Sequence, residues 1–260
     1  MIEEGSGGPR LQGAVPSEVF QVLLSHYPTL ATQFARAQPT RPLGVIPRLQ
    51  RRRSRAAGAH WVLLPHTYVF WSPLFSTGIA WSLVGVERLG LLLEHIERWN
   101  QHYRLQAPLQ RYARALEADA DHLRVVIAAA YNARHTFEAF DAASQAYFAA
   151  ASYEEAIHRL CDPPADVGEW AWLGFLGTTD SIMRRILDRV AQVAAERSSD
   201  TTSMADIVAR TIAPRNVAGL ADRDRKRLCP VNFNALVEAS SLLDLHPDEM
   251  RARVSRLRAS

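Results

Sequence analysis

Apolar residues recur along this chain mostly at helical spacing. Ile79, Leu83, Val86, Leu89, Leu93 and Ile96 fall on one helical face and predict a long helix over Ile79–Trp99, with that face turned to the core. Leu116, Leu123, Ile127 and Tyr131 do the same for a longer helix, Leu109–His135. Ile182, Ile186 and Val190 mark Thr179–Arg197, with Asp180 near its start. Phe137–Ser152, Tyr153–Cys161, Ser203–Ile212, Asn232–Leu243 and Pro247–Leu257 complete the helical part, punctuated by Asp162-Pro163-Pro164 and Pro214. The pattern differs before residue 78. A loose tail over 1–13 leads to two short helices, Ser17–Ser25 and Pro28–Ala37. Leu43–Arg53 and His60–Leu64 read as strands joined by a turn over Arg53–Gly58. The predicted fold class is mainly α: a helical C-terminal domain, 78–260, preceded by a small α/β remnant, 14–77.

The junction between these parts holds the most specific run, Ser72-Pro73-Leu74-Phe75-Ser76-Thr77-Gly78-Ile79. Pro73 fixes φ and ends any strand before it. Ser76 and Thr77 suit a helix N-cap, and Gly78 lets backbone approach a ligand. A helix opening at Gly78 aims free N–H groups and the positive end of its dipole at whatever lies before it. Such a place suits an anion, or an oxygen that gains charge in a reaction.

This run resembles the flavin-contacting loop of flavin-dependent halogenases of the tryptophan-halogenase type and their FAD-dependent monooxygenase relatives. There the pattern is Asp (or Glu)-Pro-Leu-x-Ser-Thr (or Ser)-Gly-Ile; Pro73, Leu74, Ser76, Thr77, Gly78 and Ile79 match it. Pro47–Arg52 and Trp61–His66 resemble the segments leading into the loop. Gly85–Leu89, Ala146–Ser152 and Ala213–Leu220 resemble the helical C-terminal region. The resemblance implies an FAD cofactor touched by Pro73, Leu74, Ser76, Thr77, Gly78 and Ile79, and a chain that corresponds to the C-terminal part of such an enzyme. It further implies a separate or missing N-terminal FAD-binding region as partner.

Several residues of the family pattern have no counterpart. The acid of the loop is replaced by Ser72. The glycine-rich dinucleotide turn has only Gly5-Ser6-Gly7-Gly8-Pro9-Arg10 as a candidate, which lacks the third glycine and reads as a flexible start. Lys226 is the only lysine and lies far along the chain from the loop, so no residue is assigned a catalytic role. Trp170-Ala171-Trp172-Leu173 begins like the family's tryptophan motif but ends differently. The expected function is therefore the C-terminal portion of a halogenase-like or monooxygenase-like FAD-dependent oxidoreductase, inactive alone. The alternative is a non-enzymatic helical interaction module that has lost the cofactor.

Composition changes this picture little. With 260 residues, 48% hydrophobic and 22% charged, the chain is long and apolar enough for a substantial core. A net charge of +3 gives no strong field, and the cluster Arg48, Arg51, Arg52, Arg53 and Arg55 reads as a solvated turn, not a nucleic-acid site. No run is long enough for a membrane span. Cys161 and Cys229 have no metal-like spacing and read as reduced thiols of a cytoplasmic protein. Glu155/His158 and Asp119/His122 have the i,i+3 spacing of di-metal bundle ligands, but read as surface pairs, so no metal is assigned. His66 stands just before the loop and reads as structural, and Trp99, Tyr103, Tyr112, Phe137, Phe140, Tyr147, Phe148, Trp170, Trp172 and Phe175 read mostly as helical core, with the lining of a substrate cavity in a complete enzyme as the alternative for some of them. The strands, lacking neighbours, predict an exposed apolar patch over residues 43–80 that includes Trp71, Leu74 and Phe75.

Overall fold

The computed structural model describes residues 15–44, 46, 49–98, 105–163, 173–196, 201–220 and 233–259. Within that range the protein is mainly α. It divides into two compact units, Met1–Arg51 and Arg52–Ser260. The smaller unit contains α1 (Pro16–His26) and α2 (Pro28–Phe34), each with proline in its first turn, where the missing N–H costs nothing. Phe20 meets Phe34 edge to face, with ring centroids 5.6 Å apart.

The larger unit begins with an irregular segment. β1 (Arg51–Arg52) pairs with β2 (Val69–Phe70), which follows the short α3 (Pro65–Tyr68). The predicted strands are corrected here. Of Leu43–Arg53, only Arg51–Arg52 is strand among the described residues, and His60–Leu64 contributes one antiparallel bridge, Val62 to Ala57. Pro47, inside this run, lacks the N–H a ladder needs. The turn lies at Gly58–Trp61 instead of Arg53–Gly58: Gly58 N donates to Trp61 O, and the Trp61 indole occupies the space a Cβ on residue 58 would fill.

The helical part follows: α4 (Thr77–Arg98), α5 (Gln106–Ala133), α6 (Phe137–Leu160), α7 (Ser181–Ala195), α8 (Thr201–Ile212), α9 (Phe233–Glu238) and α10 (Pro247–Ala259). The predicted pair Phe137–Ser152 and Tyr153–Cys161 is one continuous helix, α6, because no proline or glycine interrupts it. Asn232–Leu243 shortens to α9 plus a 3-10 turn, Ser240–Leu243. Helices α5, α6, α7 and α8 pack on one another, and α10 packs on α6. Alanines make this close packing possible: Ala113, Ala120, Ala130, Ala143, Ala146 and Ala150 are all buried along α5 and α6. Thr136 caps α6 by accepting from Ala139 N, and Asp180 caps α7 by accepting from Met183 N.

The rotation of α4 departs from the sequence pattern. Its buried side is Thr77, Trp81, Gly85, Arg88, Leu92 and Ile96. Of the predicted core face only Ile96 is buried, and Leu89 half-buried; Ile79, Leu83, Val86 and Leu93 are 68%, 65%, 52% and 45% exposed. The cause is an ion pair. Arg88 Nη1 lies 2.8 Å from Asp119 Oδ2 of α5, with both side chains 2% exposed. Trp81 Nε1 donates to the same oxygen at 3.1 Å, and Arg88 also donates to the Leu173 carbonyl. Gly85 completes this face, since a Cβ there would lie 2.5 Å from Pro65 of α3.

The expected patch over 43–80 is thus redistributed. Trp71, Leu74 and Phe75 are half-buried, while Trp61, Leu64 and Ile79 are exposed, joined by Leu83, Val86 and Leu93 further along α4. Beyond Leu105 the apolar faces are largely buried.

Removing one partner of a buried ion pair leaves the other charge unpaired. Arg88→Ala is expected to lower the unfolding free energy by about 3–5 kcal/mol in a denaturant titration, with Asp119→Ala similar in size. A loss below about 1 kcal/mol, the range of exposed pairs, would contradict this role.

His122 of α5 provides a pH signature. Its Nε2 lies 3.0 Å from the Leu176 carbonyl, and the ring is buried. Burial holds its pKa below the ordinary 6.5, outweighing the opposite pull of that carbonyl and of the Asp119 and Asp188 charges. The unfolded chain therefore binds a proton the folded one resists, so stability falls as pH drops below 6.5. Urea midpoints measured between about pH 7 and 5 should decline, and His122→Gln should flatten that decline.

Candidate functional site

The loop that joins β2 to α4 is built by its own residues. Pro73 sits at φ −75°, and a single 3-10 turn, Leu74–Ser76, follows. Ser72 accepts from Leu74 N at 3.2 Å, and Ser76 N donates to the Pro73 carbonyl at 3.0 Å. Phe75 and Ser76 then take positive φ, 60° and 54°, without being glycine. Left-handed backbone costs such residues about 1–2 kcal/mol each, so surrounding contacts must hold it.

Those contacts come from α5 and α6. Phe75 stacks on Tyr147 with ring centroids 4.3 Å apart, flanked by Phe140 and Phe148. Thr77 is buried and donates to the Leu74 carbonyl at 2.8 Å. Burial pushes the Tyr147 phenol up, and the nearby Thr77 side chain partly offsets this. At the other end of the loop, the Ser72 hydroxyl lies 3.0 Å from the Tyr131 hydroxyl. The Arg134 guanidinium sits 5.2 Å from the centre of the Tyr131 ring. Trp71 anchors the approach to the loop by donating to the Ala120 carbonyl at 2.9 Å.

The six residues of the sequence pattern are contiguous but unequal. Pro73, Ser76 and Ile79 are exposed, Leu74 is half-buried, and Thr77 and Gly78 lie underneath. The expected N-cap role divides: Thr77 is already the first residue of α4, which leaves Ser76 in the capping position. Gly78 permits a close approach, but the approaching group is protein. A Cβ at this position would lie 2.0 Å from His66 Nε2. The His66 ring also packs against Phe70, centroids 5.3 Å apart.

The other candidates resolve into structural pairs. Asp119 and His122 are buried, not on the surface as expected, and serve Arg88 and Leu176 respectively. Glu155 pairs with Arg159 at 2.7 Å, while His158 lies 2.9 Å from Glu154. Glu154 also accepts from Gly177 N, tying the 173–180 loop to α6. Among the described residues no group of three or more His, Cys, Asp or Glu is placed to hold a metal. Arg51, Arg53 and Arg55 are exposed, and Arg52 pairs with Asp121 at 2.6 Å. Cys161 is a free, half-buried thiol whose pKa burial raises. Pro47, Arg48, Trp99, Tyr103, Trp170, Trp172, Lys226, Cys229 and the Gly5–Arg10 run lie outside the described residues. Tyr131, which the sequence suggested only as a helix-face residue, and Tyr147, suggested only as core, are the loop's partners.

With this geometry in view, comparison with solved structures assigns the fold. Crystal structures of halogenase PltM, and of halogenase PltM in complex with phloroglucinol and FAD, match 84% and 82% of this chain at TM-scores of 0.60 and 0.62. Sequence identity is 18% in both. The chain spans less than half of the matched ones, 46% and 45% of their length. It therefore shares the fold of part of a halogenase. No family model and no curated protein matches the sequence. Among the described residues no helix is long and apolar enough to cross a membrane.

If the His66 ring occupies the space beside Gly78, the two positions are energetically coupled. Gly78→Ala should destabilise the wild type, and by about 1 kcal/mol less in a His66→Ala background. Additive effects in thermal melts would show that the ring does not fill that space.

Proposed function

We propose that this chain supplies the flavin-contacting loop and the helical region of a FAD-dependent, halogenase-like oxidoreductase, and does not complete the reaction alone. The observation that carries the reading is the coincidence of two independent signals. The fold matches part of halogenase PltM, one structure of which contains FAD, and the run Pro73–Ile79 opens a long helix at Thr77. On this reading Pro73, Ser76 and Ile79 present the contact surface, Leu74 borders it, and Thr77 and Gly78 form its floor.

The residues present fit one edge of a flavin ring. The site offers the exposed residues Ser76 and Ile79 beside a helix N-terminus, whose dipole favours negative charge on the ring. The flavin itself would supply the redox chemistry. The chain's own part is to place that dipole, to exclude water with Ile79 and Leu74, and to keep the loop in one conformation through its tyrosine contacts. Halide chemistry is not included: Ser72 stands in the acid position, and its hydroxyl is committed to Leu74 N and Tyr131.

The partner on this reading is an FAD-binding region that covers the outward side of α4. Support comes from Ile79, Leu83, Val86 and Leu93, which leave α4 apolar on two opposite sides. Helices of that kind are normally buried all round. The longer matched chains have the additional length from which such a cover could be built. The free Cys161 thiol suits a reducing, cytoplasmic setting. The same exposed stripe favours the second reading, a helical interaction module that keeps the fold without the cofactor.

Flavin titration followed by fluorescence separates these readings. A loop that touches only the ring should bind FAD and lumiflavin, the bare ring system, weakly and within about tenfold of each other, a difference under about 1.4 kcal/mol. FAD retained stoichiometrically through gel filtration would refute the incomplete-site reading. Binding of neither flavin would favour the interaction module.

A further inference from the structure

We propose that Tyr131 and Tyr147 are positioning residues that clamp the Ser72–Thr77 loop at its two ends and hold it in the shape that meets a flavin ring. This rests on the flavin reading above, and goes beyond it by assigning the loop's shape to two side chains on α5 and α6.

The loop's conformation is not intrinsic. Two successive non-glycine residues, Phe75 and Ser76, hold φ of 60° and 54°. Strained backbone of this kind persists where its surroundings over-determine it. The loop's internal bonds, from Leu74 N to Ser72, Ser76 N to Pro73 and Thr77 to Leu74, close the turn locally. None of them fixes the turn against α5 or α6. Tyr131 and Tyr147 do so by different chemistry. Tyr131 reaches the Ser72 hydroxyl at 3.0 Å, with the Arg134 guanidinium over its own ring. Tyr147 is buried, stacks on Phe75 with ring centroids 4.3 Å apart, and has its hydroxyl near the Thr77 side chain. One tyrosine therefore holds the residue before Pro73, and the other holds the strained Phe75 next to the start of α4.

Thr77 and Gly78 lie beneath the contact surface, so the clamp acts on flavin through backbone placement and not by touching the ring. Its failure should loosen Ser76, Thr77 and Gly78 together while leaving the bundle intact.

The test uses the full chain and two readouts. Hydrogen exchange of the Ser76–Ile79 amides reports the clamp without any ligand. Tyr147→Phe keeps the ring stack and removes the hydroxyl; Tyr147→Leu removes both; Tyr131→Phe removes the contact with Ser72. Exchange in the loop is expected to rise about tenfold in Tyr147→Leu and several-fold in the two phenylalanine variants, with the amides of the α5 centre unchanged. Thr77→Ser should rescue what Thr77→Val loses. Lumiflavin affinity should fall in the same order as exchange rises. Loop exchange equal to wild type in all three tyrosine variants overturns the clamp. A loop that loosens as expected in a chain that binds no lumiflavin overturns the flavin reading and leaves the clamp standing. Loosened exchange with lumiflavin affinity unchanged overturns the positioning role.

Discussion

The Arg88–Asp119 pair fixes which side of α4 faces the bundle. A guanidinium and a carboxylate, each 2% exposed, are costly to remove from water and are tolerated only when every group finds a partner. Here Asp119 receives Arg88 and Trp81, while Arg88 also donates to the Leu173 carbonyl. The one interaction thus ties α4 to α5 and to the chain that enters the loop before α7. Rotating α4 by half a turn would bury Ile79, Leu83 and Val86, but it would strand Asp119 in the core. The polar network decides orientation against the simple count of apolar side chains.

That rotation also sets the candidate site. With Trp81 and Arg88 inward, Thr77 one turn earlier must also point inward, where it lies near Tyr147. Gly78 then turns toward α3, and His66 lies against it. Ile79, next in line, is forced outward. The division of the loop into floor and exposed edge follows from the helix behind it. Phe75 absorbs the mismatch between the chain leaving Pro73 and the helix axis by taking a left-handed conformation, and the Tyr147 ring supports it there.

The local parts of this arrangement could be read from the sequence. Helix ends were legible because Pro28, Asp180 and Pro247 act on their own neighbours, through fixed φ or a cap. The turn at Pro73 and the helix start that follows it were legible for the same reason, whereas the flavin role of the run came from its resemblance alone. What failed were inferences that needed a partner. Leu43–Arg53 and His60–Leu64 have strand-like composition, yet a strand needs a neighbour, and among the described residues only Arg51–Arg52 and Val62 find one. The face of α4 was misread because periodicity counts an arginine as polar and turns it outward; Asp119, 31 residues away, reverses that. Tyr131 and Tyr147 were visible as aromatic residues on helices, but their pairing with Ser72 and Phe75 spans sequence distances that no local pattern reports.

The buried pair also bears on the meaning of the exposed stripe. A surface hydrophobic helix face can arise when a helix is loosely seated and could turn its apolar side inward. Arg88 and Asp119 exclude that for α4, since the alternative rotation would bury an unpaired carboxylate. The stripe Ile79-Leu83-Val86-Leu93 is therefore a fixed feature of the surface. Because Ile79 is both its first member and the last residue of the loop pattern, the stripe and the loop form one continuous surface. Two acidic side chains, Glu87 and Glu94, flank it and are exposed. Two copies packed about a twofold axis near Val86 would bring Glu87 against its own mate, which disfavours self-pairing. On the proposed reading, whatever covers the stripe must also stand at the mouth of the loop, so docking and flavin contact become a single event.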